Sequence, residues 1–348
     1  MKRIAVIFFA MLMCITLLVS CSNEPYPYEL DKYIKLAELP TDLTFTEEEI
    51  LERVDEKILE VRQNNAVKTL NNDKAAENGD MVNVSFVCYP AATYGKEDSK
   101  PIQKISDPDC TITIGNNKYP IELEKAIIGM FPSDKTTARL TYPQNFALKE
   151  YAGMSVVFEI TLNSVTEVRL PLYNDAFVRT VSICQTVDEY ETFIFERVKE
   201  DIVWEYMLKN SEVLLYPTEE LNEYSSDFSS YYSGLATEKD ITLEEYVSKK
   251  FFIELSEFHI KTDSYAKDMV KGDLLLYSLV NKYGLQLSDE QYTAGAERYA
   301  TQYGFRSVSL LEGKFGSDFV RKSVQQDEVL KYLSQNGIKV IPSEAQSA

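Results

Sequence analysis

Apolar and polar residues alternate in four runs in the middle of the chain, a pattern typical of half-buried β-strands. In the first run, Val82, Val84 and Phe86 alternate with less apolar neighbours. A short amphipathic helix is predicted between the second and third runs, at 119–130. The order predicts an α+β fold, in which a small antiparallel sheet wraps on one short helix. The four predicted strands cover 79–90, 110–115, 135–143 and 155–165.

The regions on either side have the three-and-four spacing of amphipathic helices. Thr46 and Glu49 form a predicted capping box at the start of a helix that ends near Asn64. From residue 170 onward the pattern is almost wholly helical, which predicts an all-α C-terminal domain. Its helices are expected to begin at Thr186, Pro217, Thr242, Ser288 and residue 317, with Glu245 as the capping partner of Thr242.

The first twenty residues have the pattern of an export signal. Lys2 and Arg3 precede an apolar run that ends in Leu18-Val19-Ser20-Cys21. This pattern resembles the bacterial lipoprotein signal, which implies removal of residues 1–20 and a lipid on the Cys21 thiol. The chain would then be held on the extracytoplasmic face of the cell membrane. An uncleaved anchor is the alternative, although the apolar run is shorter than the ~20 residues that a spanning helix needs.

Composition and charge exclude several classes of protein. A formal net charge of -19 over 348 residues makes the chain a poor binder of nucleic acid, because phosphate contacts need clustered Lys and Arg. The single histidine, His259, lies in a charged helical stretch, which does not favour a Ser-His-Asp triad, and the sequence has no His pair or cysteine cluster to indicate a zinc site. The glycines match neither phosphate-binding loop motif, and no cofactor is expected.

Three cysteines, Cys88, Cys110 and Cys184, lie beyond the export signal and Cys21. Cys88 and Cys110 fall near predicted strands, so a disulfide between them is conceivable in an exported protein. Buried free thiols are the other interpretation, and the sequence leaves both open.

The motifs of the middle region, taken together, resemble the FKBP-type peptidyl-prolyl isomerase domain, in the version found in trigger factor. They are GDMVNVSF at the first strand, an apolar strand that ends in glycine, a helix that ends in IIGM, then YPQNF and AGMSVVFEITLNSV. The order and spacing of these motifs carry the resemblance, which covers about ninety residues. The helical region that follows is similar to the C-terminal domain of trigger factor.

The resemblance implies a division into domains. We expect a signal peptide at 1–20, a tether at 21–45 and a helical lead-in at 46–77. An isomerase-like domain at 78–169 follows, then a helical chaperone-like domain at 170–342 and a tail at 343–348. The tether and leader stand where trigger factor has its ribosome-binding domain, so no such domain is expected. The implied partners are unfolded or nascent exported polypeptides, together with the lipid membrane through Cys21.

The resemblance also implies an apolar substrate pocket. Three departures from the family affect it. The aromatic-acid pair that the family has after the first strand is not identifiable within 89–102. Pro120 stands where a backbone N–H would bind the substrate carbonyl, and Leu123 replaces an aromatic floor. The implied pocket residues are Phe86, Ile112, Tyr119, Leu123, Phe146 and Phe158.

Three functions are therefore considered. The first is a prolyl isomerase with a helical chaperone domain, and the second is a holdase chaperone whose isomerase-like domain is catalytically silent. A solute-binding lipoprotein is the third, but it would need alternating βα units, which the pattern does not contain. Prolyl isomerisation needs no nucleophile, since an apolar pocket that favours the twisted imide lowers the amide barrier of ~18–20 kcal/mol. No catalytic residue is assigned.

Overall fold

The computed structural model describes residues 29–342, which divide into two compact units. The sheet unit consists of residues 66–171 and 230–262, and the helical unit of residues 29–65, 172–229 and 263–342. The strands are β1 (Ile34–Lys35), β2 (Thr44–Thr46), β3 (Val67–Leu70), β4 (Met81–Pro90), β5 (Asp107–Thr113), β6 (Lys135–Thr141), β7 (Ser155–Arg169), β8 (Glu212–Val213) and β9 (Lys339–Ile341). The helices are α1 (Glu47–Asn64), α2 (Ile121–Ile127), α3 (Asp175–Val181), α4 (Val187–Asn210), α5 (Thr218–Glu238), α6 (Leu243–Phe251), α7 (Leu255–Tyr283), α8 (Asp289–Gln302), α9 (Val308–Phe315) and α10 (Ser317–Gly337).

The sheet unit is organised on β7, which has 15 residues and pairs along both edges. Strand β4 pairs with one edge of β7, and β5 continues the sheet beyond β4. On the other edge, β3 pairs with the C-terminal part of β7 and β6 with its N-terminal part. Every one of these pairings is antiparallel, so the predicted antiparallel sheet is confirmed.

The sheet curls around α2. The register shifts between Asn83 and Val84 where β4 meets β7, and irregularities of this kind increase the local twist. The helix buries Leu123 and Ile127 against the sheet. It begins after Pro120, and Gly129, with φ of +86°, lies in the left-handed turn that follows it. The predicted strand–strand–helix–strand–strand order is therefore present in the structure.

Residues 230–262 belong to the sheet unit, whereas the sequence analysis places them with the C-terminal helices. They comprise the end of α5, all of α6 and the first turns of α7. The predicted capping box of α6 is confirmed, since Glu245 N donates to Thr242 Oγ1 at 3.2 Å and Thr242 N donates to Glu245 Oε2 at 3.1 Å. Periodicity identifies these residues as helical but carries no information on which core they join.

The helical unit has three apolar clusters. One lies where α4, α7 and α10 meet, and it includes Val203, Leu274 and Leu333. The second joins α1 to α4, and the third joins α8, α9 and α10. The capping box at Thr46 is confirmed, with Thr46 N donating to Glu49 Oε2 at 2.7 Å. Among the described residues, the unit contains four short strands, β1, β2, β8 and β9, besides its helices.

The chain before α1 differs from the expected tether of residues 21–45. Leu30 and Ile34 are buried in the cluster of α4, α7 and α10. Ile34 pairs with Val213 in the antiparallel β1–β8 ladder, and β2 runs parallel to β9. Leu30 and Ile34 lie four positions apart and are both buried, so the chain from residue 30 onward is part of the folded unit. Cys21 and the predicted signal peptide lie outside the described residues.

None of the helices within residues 29–342 combines the length and the apolar composition that crossing a bilayer requires.

Candidate functional site

The six side chains of the predicted pocket come together in one apolar cluster of the sheet unit. The rings of Phe86 and Phe158 meet edge to face, with centroids 5.5 Å apart. Four of the six are core residues with at most 2% of their surface exposed, and they form the interior beneath any ligand site here: Phe86, Ile112, Leu123 and Phe158.

Tyr119 and Phe146 are the two predicted residues that remain partly exposed. Phe146 lies flat on Tyr142, with ring centroids 4.0 Å apart and an interplanar angle of 13°. The sequence analysis missed Tyr142, although it belongs to the same YPQNF motif. These two rings supply a stacked aromatic wall against the core.

The hydroxyl of Tyr142 is buried and has no hydrogen-bond partner within the described part of the chain. Burial is the largest cause of the increase in the pKa of Tyr142, so the group is a neutral phenol at physiological pH. A buried phenol without a partner can donate one hydrogen bond to an incoming acceptor. It is an unused donor inside the core, which a ligand carbonyl could reach only after the side chains that cover it had moved.

Tyr119 lies between β5 and α2. Cys110 Sγ donates a hydrogen bond to Tyr119 Oη at 3.0 Å, and burial raises the pKa of the Tyr119 phenol. Tyr119 N donates to Glu124 Oε1 at 3.4 Å, and the next residue, Pro120, has no N–H. The backbone at this corner consequently offers a ligand no donor from Tyr119 or Pro120.

Both thiols of the sheet unit are free and buried. Burial raises the pKa of Cys88 to about 12 and that of Cys110 to about 11, with the Tyr119 hydrogen bond opposing the shift at Cys110. Neither thiol is a thiolate at neutral pH, so neither is a ready nucleophile. The structure therefore has free thiols rather than a bridge between Cys88 and Cys110.

A second residue that was not predicted, Phe252, packs on Tyr119. The two rings are perpendicular, at 89°, with centroids 5.6 Å apart. Close by, Lys104 Nζ lies 3.2 Å from Glu150 Oε1 and 3.5 Å from Glu254 Oε2. No local pattern could have indicated Phe252, because it is distant from Tyr119 in the sequence.

Carboxylates hold some of the tyrosines of the helical unit. Tyr224 Oη donates to Asp273 Oδ2 at 2.6 Å, and Tyr299 Oη donates to Asp327 Oδ2 at 2.9 Å. Hydrogen bonds of this kind fix a ring in one orientation. These two residues therefore serve the packing of the unit.

Exposed apolar side chains are present in both units. In the sheet unit, Ile121, Ile128 and Phe131 are about half exposed around α2. In the helical unit, Leu172, Leu214 and Leu215 are exposed. Such side chains can contact apolar segments of an unfolded chain.

His259 is exposed, and within residues 29–342 no set of three or more His, Cys, Asp or Glu side chains is placed to hold a metal ion.

Comparison with known proteins places this chain beside trigger factors. It is 23% identical over 314 residues to the trigger factor of Caldicellulosiruptor saccharolyticus, an alignment that covers 85% of this chain and 68% of that protein. It is 26% identical over 305 residues to the trigger factor of Carboxydothermus hydrogenoformans, with 81% and 68% covered. A solved structure of the trigger factor chaperone, from work on its substrate recognition, aligns with 88% of this chain and 71% of its own at 16% identity and a TM-score of 0.31. No protein-family model matches the chain.

Proposed function

Since this chain is trigger factor-like over about 85% of its length, we propose that it is a protein-folding factor that binds unfolded polypeptides. The exposed apolar side chains of both units support this role, because an unfolded client presents apolar segments that a native protein buries.

We further propose that the sheet unit is a peptidyl-prolyl cis–trans isomerase. The supporting observation is the apolar cluster built on the Phe86–Phe158 pair, with the partly exposed rings of Tyr119 and Phe146 packed against it. Rings of this kind can hold a proline and exclude water, which favours the twisted imide over the planar amide. The unpartnered Tyr142 phenol supplies a donor that does not depend on the backbone at Pro120.

Isomerase activity is tested by NMR exchange spectroscopy on Xaa-Pro peptides with the full chain in detergent. We expect interconversion faster than the uncatalysed tens to hundreds of seconds. Tyr142→Phe keeps the ring and removes the hydroxyl, so it should lower the rate while peptide binding persists. If Tyr142→Phe catalysed isomerisation at the wild-type rate, the phenol would have no role in catalysis.

The second candidate function is a holdase with a silent isomerase-like unit. Two observations favour it: four of the six predicted pocket residues are core, and Pro120 has no N–H to give. A holdase suppresses aggregation of an unfolded protein without changing the rate of prolyl isomerisation. Replacing Leu172, Leu214 and Leu215 with serine should then weaken that suppression, whereas replacing Tyr142 should not.

We also propose that the protein is a lipoprotein anchored through Cys21 and that its clients are exported polypeptides. The support is the pattern of residues 1–21 in the sequence. Labelling of cells with radioactive palmitate should mark the wild type and leave Cys21→Ala unlabelled. Labelling of both or of neither would contradict the anchor.

A further inference from the structure

Phe252 occupies an unusual backbone position at the edge of the candidate site. It follows the last residue of α6 and has φ of 56° and ψ of 38°, in the left-handed region. Glycine or asparagine is the common choice there, and a bulky side chain is an outlier. Strain of this kind persists only where the surroundings hold the residue in place, and it is concentrated at ligand clamps and switches.

The side chain of Phe252 packs on the apolar cluster of the sheet, which belongs to the same unit. It is partly buried against the apolar cluster that contains all six predicted pocket residues. Its ring stands perpendicular to Tyr119, the geometry that aromatic pairs prefer. Phe252 thus occupies the kind of position that an aromatic side chain of a bound peptide would take.

The adjacent phenylalanine has a different role. Phe251 packs edge to face on Tyr232 at 5.5 Å and contacts Tyr246 at 6.4 Å, and both of these rings belong to residues 230–262. Phe251 therefore stabilises the helical segment itself, whereas Phe252 projects from the segment onto the sheet. The pair offers a matched comparison of the same side chain at neighbouring positions.

Charged residues add a contact that can be released. Lys104, in the turn between β4 and β5, lies 3.5 Å from Glu254 and 3.7 Å from Glu244, both in the helical segment, and 3.2 Å from Glu150. One lysine serves three carboxylates, all of them partly exposed, so the contact is screened by salt. Such a latch holds the segment weakly enough for a ligand to displace it.

We propose that Phe252 is an intramolecular ligand of the isomerase-like site, and that an aromatic or apolar side chain of an unfolded client replaces it when residues 243–262 move away. This proposal rests on the proposed function, because that function identifies the ligand as an unfolded client. A site that is closed for nine-tenths of the time binds about tenfold more weakly than the same site held open.

The test compares Phe252→Gly with Phe251→Ala in the full chain. Glycine removes the ring and suits the left-handed backbone, so α6 keeps its end. The probe is a dansyl-labelled Ala-Leu-Pro-Phe peptide, and its affinity is measured by fluorescence anisotropy. We expect Phe252→Gly to bind about tenfold more tightly than the wild type, and Phe251→Ala to bind like the wild type. Equal affinity of Phe252→Gly and wild type would overturn the proposal while leaving the proposed function intact.

If no variant binds the peptide, a second measurement tests the covering of the site by Phe252 separately from the proposed function. Hydrogen exchange of residues 107–127 reports whether Phe252 covers β5 and α2. Faster exchange in Phe252→Gly than in Phe251→Ala would support the covered site even though peptide binding, and with it the proposed function, had failed. Equal exchange in the two variants would overturn the covered site.

Discussion

The two units differ in how charged groups hold their aromatic side chains, although each has a buried tyrosine hydroxyl without a partner among the described residues, Tyr142 in the sheet unit and Tyr190 in the helical unit. In the sheet unit, Phe86 and Phe158 meet in an apolar core, and the buried Tyr142 hydroxyl has no partner within the described residues. In the helical unit, Tyr224 and Tyr299 donate to carboxylates. A ring held by a charged hydrogen bond has one orientation, whereas rings in apolar contact can repack around a ligand. The comparison assigns a fixed scaffold around Asp273 and Asp327 to the helical unit and an apolar aromatic core to the sheet unit.

The largest expected effect comes from opening the apolar core. Phe158→Ala removes a buried ring, and such truncations lower the free energy of unfolding by about 3–5 kcal/mol. Hydrogen exchange of β4 and β7 should accelerate accordingly. Phe146→Ala, at a partly exposed ring, is the control and should accelerate exchange much less. Equal acceleration in both variants would mean that the Phe86–Phe158 pair is not the core of the unit.

The carboxylate network of the helical unit should give the next largest effect. Asp327 accepts hydrogen bonds from Arg197 at 3.0 Å, from Arg298 at 2.6 Å and from Tyr299 at 2.9 Å. Asp327→Ala leaves the Arg197 charge with less compensation, and the expected loss of stability is about 3 kcal/mol.

The single tryptophan, Trp204, lies in α4 of the helical unit, and its fluorescence during urea unfolding measures this loss. Glu196→Ala, which removes an exposed partner of Lys199, should change the transition by less than about 0.5 kcal/mol. An unchanged transition in Asp327→Ala would refute the fixed-scaffold interpretation.

A smaller effect is expected at the start of α6, the helix that precedes Phe252. Thr242→Ala removes the side chain that caps this helix, which costs about 1 kcal/mol. Amide exchange along α6 measures the change. Thr242→Ser retains the cap, so its amides should exchange at the wild-type rate. Exchange as fast in Thr242→Ser as in Thr242→Ala would contradict the role of the cap.

These outcomes bear on how much could be predicted from the sequence. The alternation of Val82, Val84 and Phe86 predicted β4, because one face of that strand is buried, and the capping boxes located the starts of α1 and α6. Strand β3 had no such signal, since all four of its side chains are exposed. The pairing of Phe252 with Tyr119 joins residues far apart in the chain, and local periodicity does not encode such a contact.

The smallest predicted effect is a pH dependence in the helical unit. Burial raises the pKa of Glu200 above its ordinary value of 4.5, although Arg197 opposes the shift. The folded chain therefore holds this proton more tightly than the unfolded chain. The resulting stabilisation is present below pH 4.5 and is lost as the pH rises through the folded pKa.

Urea unfolding of wild type and Glu200→Gln across this pH range measures the effect. The stability of the wild type relative to the variant should fall as the pH rises. Glu196→Gln serves as the control for the loss of an exposed carboxylate. If the stability of the wild type relative to Glu200→Gln rose with pH instead, burial would not be the main cause of the pKa shift of Glu200.

The most direct test of the account is the rate of cis–trans exchange in an Xaa-Pro peptide, measured by NMR with the full wild-type chain and with Phe252→Gly. The account predicts catalysis by the wild type and faster catalysis by the variant, because the apolar site beside Tyr119 is then uncovered. Exchange at the uncatalysed rate with both proteins would contradict an isomerase in the sheet unit and leave the holdase as the function.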